Sequence, residues 1–284
     1  LSILEIIFYS INESIGVIHY QAVDMGGSMY VHTFGAYFGL AVSYVVTDYK
    51  QLEDDKRKEG SNKTSDTFAM IGTIFLWLFW PSFNGALAVG NSQHRVVINT
   101  ILSLTSSCMS AFAMSKSFRK KFNMIDIQNA TLAGGVAIGS SADLVIGPSF
   151  SLFIGVMSTC GYNKIQPYLD RRMHLHDTCG VNNLHGIPGI IGGLSGAISA
   201  AFTSNELYGD NIQNIFPAMN GTRTNKEQGL YQFLALLTTL GISIIGGLFT
   251  GRLLNTKYFR NKKTYYDDKD NWDLEEMENN MVGA

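Results

Sequence analysis

Residues Asp177 to Gly196 read D-T-C-G-V-N-N-L-H-G-I-P-G-I-I-G-G-L-S-G, a run of apolar and small side chains that covers most of a membrane crossing. It nevertheless carries Asp177 at its start and His185 near its middle. An ionisable side chain at membrane depth costs about 3 kcal/mol to insert, so its presence there is by default a functional signal. The same pattern occurs earlier as D-M-G-G-S-M-Y-V-H-T-F-G-A-Y-F-G, where Asp24 precedes His32 by eight residues just as Asp177 precedes His185. Gly27 and Gly180 each follow their Asp at the same offset of three. Eight residues of helix rise about 12 Å, and half a hydrocarbon core is about 15 Å. The spacing therefore predicts each Asp near a membrane face and each His near the midplane.

The composition around these stretches fits a polytopic, all-α membrane protein. Only 15% of residues are charged, against about 25% in soluble domains, and the charges cluster in a few short segments. The chain opens at Leu1 inside an apolar run and reads as part of a longer protein whose first spans precede it; no signal peptide is visible. A net charge of −2 without a basic stripe argues against nucleic-acid binding. Cys108, Cys160 and Cys179 lie in or beside apolar runs without zinc or redox spacing, and read as small, buried, reduced residues. His174 and His176 in M-H-L-H-D stand two apart and share no helix face, so a solvated loop is expected rather than a metal site. His19 and His94 are expected to be solvated.

Eight apolar segments, bounded by charges or turn residues, run at about 1–20, 25–47, 67–90, 95–115, 126–144, 147–163, 178–202 and 228–251. Of the 21 Lys and Arg, 18 fall in segments 48–66, 116–125, 161–177 and 252–284, which alternate with connections holding only Arg95, Arg223 and Lys226. The positive-inside rule makes the first set cytoplasmic, together with both chain ends. The two Asp-His segments then cross in opposite directions, as in inverted-topology repeats whose site lies at the repeat interface. Gly35 with Gly39, Gly189 with Gly193, and Gly192 with Gly196 are each four apart and predict close helix approach. Asn220 begins N-G-T in an external connection and is a glycosylation candidate, whereas Asn62 in N-K-T is expected inside and Asn129 in N-A-T within a span.

Four motifs together carry a resemblance: D-T-C-G-V-N-N-L-H-G-I-P-G-I-I-G-G, G-G-S-M-Y-V-H-T-F-G-A-Y-F-G-L, F-L-W-L-F-W-P-S-F-N and I-Q-N-A-T-L-A-G-G-V-A-I-G. They resemble the Rh glycoprotein branch of the ammonium transporter family, over nearly all of residues 1–255. The resemblance implies the ammonium-transporter fold with inverted repeats, eight of about twelve transmembrane helices being present. It also implies a homotrimer, or a heterotrimer with paralogues, in the plasma membrane, each subunit with its own pore. Residues 1–255 would form the transmembrane domain and 256–284 a cytoplasmic tail.

Residue by residue, the resemblance matches His32 and His185 to a mid-pore histidine pair and Asp24 and Asp177 to the aspartates of the symmetry-related helices. Phe83 matches one ring of a stacked phenylalanine gate, whose other ring belongs to the spans before Leu1. Glu13 matches an acid of the external vestibule, and Asp66 lies where the family has an acid near the cytoplasmic face. The expected function is facilitated passage of ammonia or ammonium, electroneutral overall, with no enzyme activity, cofactor or metal. Passage of carbon dioxide as well, or a non-conducting structural role, are the competing readings; loss of the paired histidines would favour the latter, and both are present. Trp77 and Trp80 read as packing or lipid-interface aromatics. The two aspartates, each at a helix start, suit capping or support of the site as well as direct contact with the ion.

Overall fold

The computed structural model describes residues 1–48, 62–159, 168, 175–208 and 212–259. His174, Cys160, most of the tail and most of the segments 48–66 and 161–177 lie outside the described residues. All eight apolar segments contain helix. They are α1 (Ser2–Ser14), α2 (Phe34–Val46), α3 (Lys63–Asn84), α4 (Asn91–Arg119), α5 (Met124–Ile138), α6 (Pro148–Thr159), α7 (Ile187–Ala201) and α8 (Asn225–Leu254). Single π-helical turns extend α1 at Ile15–His19, lead into α2 at Ser28–Thr33 and lead into α7 at Asn182–Gly186. With those turns included, five helices are long and apolar enough to cross a membrane: Ser28–Val46, Lys63–Asn84, Asn91–Arg119, Asn182–Ala201 and Asn225–Leu254. α1, α5 and α6 are shorter.

α5 is the centre of the molecule, buried without interruption from Asp126 to Ile138 except at Asn129. Small residues make this possible. A Cβ on Gly134 would collide with the Ser103 carbonyl of α4, and one on Gly135 would lie 2.5 Å from the Trp80 ring of α3. α4 in turn presents a polar stripe to its neighbours, contrary to a simple apolar span. Ser103 Oγ donates to the Gly134 carbonyl at 2.8 Å, Ser107 Oγ to the Ala130 carbonyl at 2.5 Å, and Asn99 Nδ2 to the Ala142 carbonyl at 2.8 Å. Among apolar side chains and lipid tails, close packing of small residues and such interhelical hydrogen bonds replace the hydrophobic effect as the cement.

The glycine pairs behave unequally. Gly192 would meet Ser28 and Gly196 would meet Ser140 at 3.0 Å, so the α7 glycines are packed as their spacing predicts. Gly35 and Gly39 have nothing within 4 Å, and the close approach expected there is not made. The cysteines also differ from expectation: Cys179 is exposed and Cys108 only partly buried. His19 and His94 are exposed.

One helix grips the segment that enters the first Asp-His motif. From α8, Gln232 accepts from the Val23 amide at 2.6 Å and donates back to the Val23 carbonyl at 2.6 Å, while Gln228 Nε2 donates to the Gln21 carbonyl at 3.1 Å. Arg223, stacked 3.9 Å above the Tyr231 ring, donates to the Tyr20 carbonyl. Both glutamines are buried. Gln232→Leu keeps the volume but strands two backbone groups, at a cost of about 3 kcal/mol; a lowered melting temperature in detergent is the expected reading.

Candidate functional site: a histidine pair in an apolar cavity

Each Asp-His motif is built in the same way. Gly27 and Gly180 adopt left-handed backbone, with φ of 71° and 68°, which turns the chain sharply between the Asp and the helix it starts. The carboxylate then turns back onto free amides. Asp24 Oδ2 accepts from Met29 N and Tyr30 N, both at 2.8 Å, and Asp177 accepts from Val181 N at 2.8 Å and Asn182 N at 2.9 Å. These contacts satisfy orphan donors at the positive ends of the two helices. Ser140 Oγ donates to the second oxygen of Asp24, tying the turn to the end of α5.

The two motifs run antiparallel. Ser43, near the end of α2, donates to the His176 carbonyl just ahead of the second motif, at 2.6 Å. Gly186 faces Tyr37, Gly189 faces Thr33 and Gly192 faces Ser28, so residue numbers rise along one strand of contacts as they fall along the other. This is the arrangement expected of an inverted repeat.

His32 and His185 each lie in a π-helical turn, where the extra residue per turn redirects a side chain from the helix face. Their rings meet, Nδ1 to Nδ1 at 3.1 Å, with centroids 5.0 Å apart and planes 15° from parallel. His32 is buried, and its Nε2 has no partner. The pair lines a cavity of about 300 Å³ whose other walls are Leu76, Phe79, Trp80, Phe83, Leu132 and Leu184, so among the described residues the imidazoles are its only ionisable groups.

Phe83 lies in the same cavity, its ring 5.7 Å from that of His32 and tilted by 49°. Trp80, read from sequence as packing, is indeed buried against Leu104, Leu132 and Val136, but it also stacks on His32 at 5.9 Å and 21°. Its place one helical turn before Phe83 in W-P-S-F was the available signal. Phe83 is 48% exposed and Trp80 6%. Truncating the first should therefore cost the fold about 0.5 kcal/mol and the second about 3 to 5. Phe83→Ala is expected to assemble normally, with the melting temperature little changed; unfolding would make the ring structural.

The remaining residues stand apart from the cavity lining. Glu13 is partly buried on α1 and accepts from the Tyr9 hydroxyl at 3.3 Å. Asp66, partly buried in the first turn of α3, has its main-chain carbonyl bound by Gln128 Nε2 at 2.6 Å. Asn220 is exposed in the turn before α8, and Asn62 caps α3 through Ser65. Among the described residues no three His, Cys, Asp or Glu side chains gather into a metal-binding group.

Antiparallel half-motifs meeting at a histidine pair inside a bundle of long apolar helices define a polytopic membrane protein. The Ammonium Transporter Family model matches residues 3–276, and the chain belongs to that family. It is 47% identical over 268 residues to ammonium transporter Rh type B of Xenopus tropicalis, covering 91% of this chain and 58% of the relative. To human ammonium transporter Rh type C it is 42% identical over 288 residues, covering 97% and 60%. The Rh50 channel structure from Nitrosomonas europaea superposes with a TM-score of 0.74 at 33% identity, over 93% of this chain and 64% of that one. The chain thus spans about three fifths of the length of the curated relatives it matches.

Proposed function

We propose that the protein facilitates passage of ammonia drawn from ammonium, electroneutrally, along the cavity beside His32 and His185. The observation that carries this reading is a hydrogen-bonded imidazole pair on an otherwise apolar wall. Ammonium cannot enter such a wall as a bare ion, because desolvation costs tens of kcal/mol before compensation, to an order of magnitude. Ammonia avoids that cost and needs only a donor and an acceptor along the way. The pair supplies both. When one ring donates through Nδ1 the other accepts there, so one Nε2 is left as acceptor and the other as donor. Exchanging the two tautomers moves a proton from one end of the pair to the other; sent back toward the side from which the ammonium came, that proton leaves ammonia as the net species carried.

In this reading Asp24 and Asp177 are positioning residues: they hold the turns that place the histidines. Glu13 and Asp66 raise the local cation concentration at the two approaches, through long-range attraction. All eight helices cross the plasma membrane, residues 1–255 forming the transmembrane domain and 256–284 a cytoplasmic tail, and the subunits form trimers. The deciding experiment puts the intact protein into vesicles and records internal pH after an ammonium jump. Rapid internal alkalinisation above the protein-free rate is expected; a rate equal to that of empty vesicles would overturn the proposal. The orientation is tested by glycosylation mapping. Asn220 should be modified and Asn62 not, and the reverse pattern would invert the topology.

A further inference from the structure

The end of α4 and the turn after it read K-S-F-R-K-K-F over residues 116–122, so four of these seven side chains are basic. The turn is tied down. Arg119 donates to both carboxylate oxygens of Asp126, at 2.6 and 3.1 Å, and Asp126 is buried in the first turn of α5. Ser115 Oγ donates to the same carboxylate and accepts from the Asn123 amide at 3.0 Å. Lys120 takes left-handed backbone, with φ of 64°, and its amide closes the helix on the Lys116 carbonyl at 2.9 Å. Lys116, Lys120 and Lys121 are left exposed, and among the described residues none of them forms an ion pair.

Attraction to the negative end of a helix accounts for cations here, but not for the apolar groups set among them. Met109, Phe112, Lys116 and Lys120 follow at intervals of three, four and four, and so share one face of α4. Met109 is 70% exposed and Phe112 41%, on a helix long and apolar enough to cross a membrane. Phe122, itself exposed, packs edge-on against Phe112 with centroids 5.5 Å apart, and Lys116 Nζ lies 5.8 Å from its ring. The face thus passes from apolar to cationic between Phe112 and Lys116, about 6 Å along the helix.

We propose that this face is a binding site for an anionic phospholipid. The headgroup accepts from Lys116, Lys120 and Lys121, and the acyl chains lie along Phe122, Phe112 and Met109. Lysine suits this boundary, because its stem runs along apolar surface while the ammonium stays among headgroups. An amphiphile matches both halves of the face, whereas a free phosphate ester or an acidic peptide meets the cationic half alone. The inference rests on the membrane-crossing reading and not on transport. In the orientation proposed above, this end of α4 faces the cytoplasmic leaflet, which is the one rich in anionic lipid.

The test is native mass spectrometry of the intact, detergent-solubilised protein titrated with dioleoyl phosphatidylserine and with dioleoyl phosphatidylcholine, which share acyl chains and differ in net charge. No flux is measured and a micelle gives lipid access to both ends of the bundle, so the result is independent of transport and of orientation. One phosphatidylserine per subunit is expected to bind at least about tenfold more tightly than phosphatidylcholine, each lysine at an anionic headgroup contributing about fivefold. Combining Lys116→Gln, Lys120→Gln and Lys121→Gln should abolish that preference with the melting temperature unchanged. Lys226→Gln, in the first turn of α8, should preserve it. Phe122→Ala should weaken both lipids alike, which reads the apolar half of the face. A preference unchanged in the triple variant would place the anionic lipid elsewhere and overturn the site. Competition by millimolar glycerophosphoserine, the headgroup without its chains, would mean a site for free phosphate esters and would overturn it too. So would absence of tight binding by either lipid, which would mean that protein covers the face: a second subunit, or the seven Asp and Glu between residues 267 and 278 of this chain.

Discussion

His185→Asn is expected to lower proton-coupled ammonium flux by at least about tenfold while leaving assembly and melting behaviour unchanged. Asparagine keeps a donor and an acceptor in roughly the volume of an imidazole, but it does not exchange a proton at any accessible pH. If the pair merely lines the path, this variant should conduct nearly as well as the parent. If the pair exchanges tautomers across the 3.1 Å Nδ1 to Nδ1 contact, the variant breaks the relay at its second member. Among the described residues no other ionisable side chain lines that cavity to take over. His32→Asn should behave alike, because a relay of two groups fails when either is replaced. Vesicle flux measured alongside a thermal melt separates the outcomes, and near-parental flux in a folded His185→Asn protein would reduce the histidines to a polar lining.

The second large effect is structural. Gly192→Val should prevent folding or destabilise the bundle by about 3 kcal/mol or more, at the upper end of overpacking costs. An added Cβ at this position lies 2.5 Å from the Ser28 Cβ and 3.0 Å from the Ala137 carbonyl, so two neighbouring segments would have to retreat together. Ser28 itself donates to the Val136 carbonyl at 2.7 Å and accepts from the Ser140 amide at 2.8 Å, which leaves it little room to move. Gly35→Val is the matched control. It removes a glycine from an equivalent four-residue spacing, but meets open space within 4 Å. It should therefore change the melting temperature of the isolated subunit very little. Equal effects of the two substitutions would contradict the packing described here.

The amino-acid sequence by itself determined that the chain is a helical membrane protein, that its two Asp-His motifs are duplicates, and where the capping aspartates stand. These features are local. Apolar length, an ionisable residue within it, and a glycine at a constant offset can all be read from neighbouring residues, because hydrophobic length and helix-end chemistry act within a few turns. Their antiparallel direction followed from the distribution of Lys and Arg, which is a property of the connections.

What only the tertiary structure decided concerns partners far apart in the chain. The contact between His32 and His185 spans 153 residues, and that between Ser140 and Asp24 spans 116. The stacking of Trp80 on His32 gave no signal beyond its helical phase with Phe83. The serines and asparagine on α4 carry no such signal in the sequence; the carbonyls of α5 and of the turn after it are what they meet. Likewise Gly35 and Gly192 stand in the same kind of sequence pattern and differ only in what faces them. The physical reason is common to all of these: hydrogen bonds, ring stacking and close packing are short-ranged in space. Which residues come within that range is settled by how whole helices pack, not by the spacing of residues along any one of them.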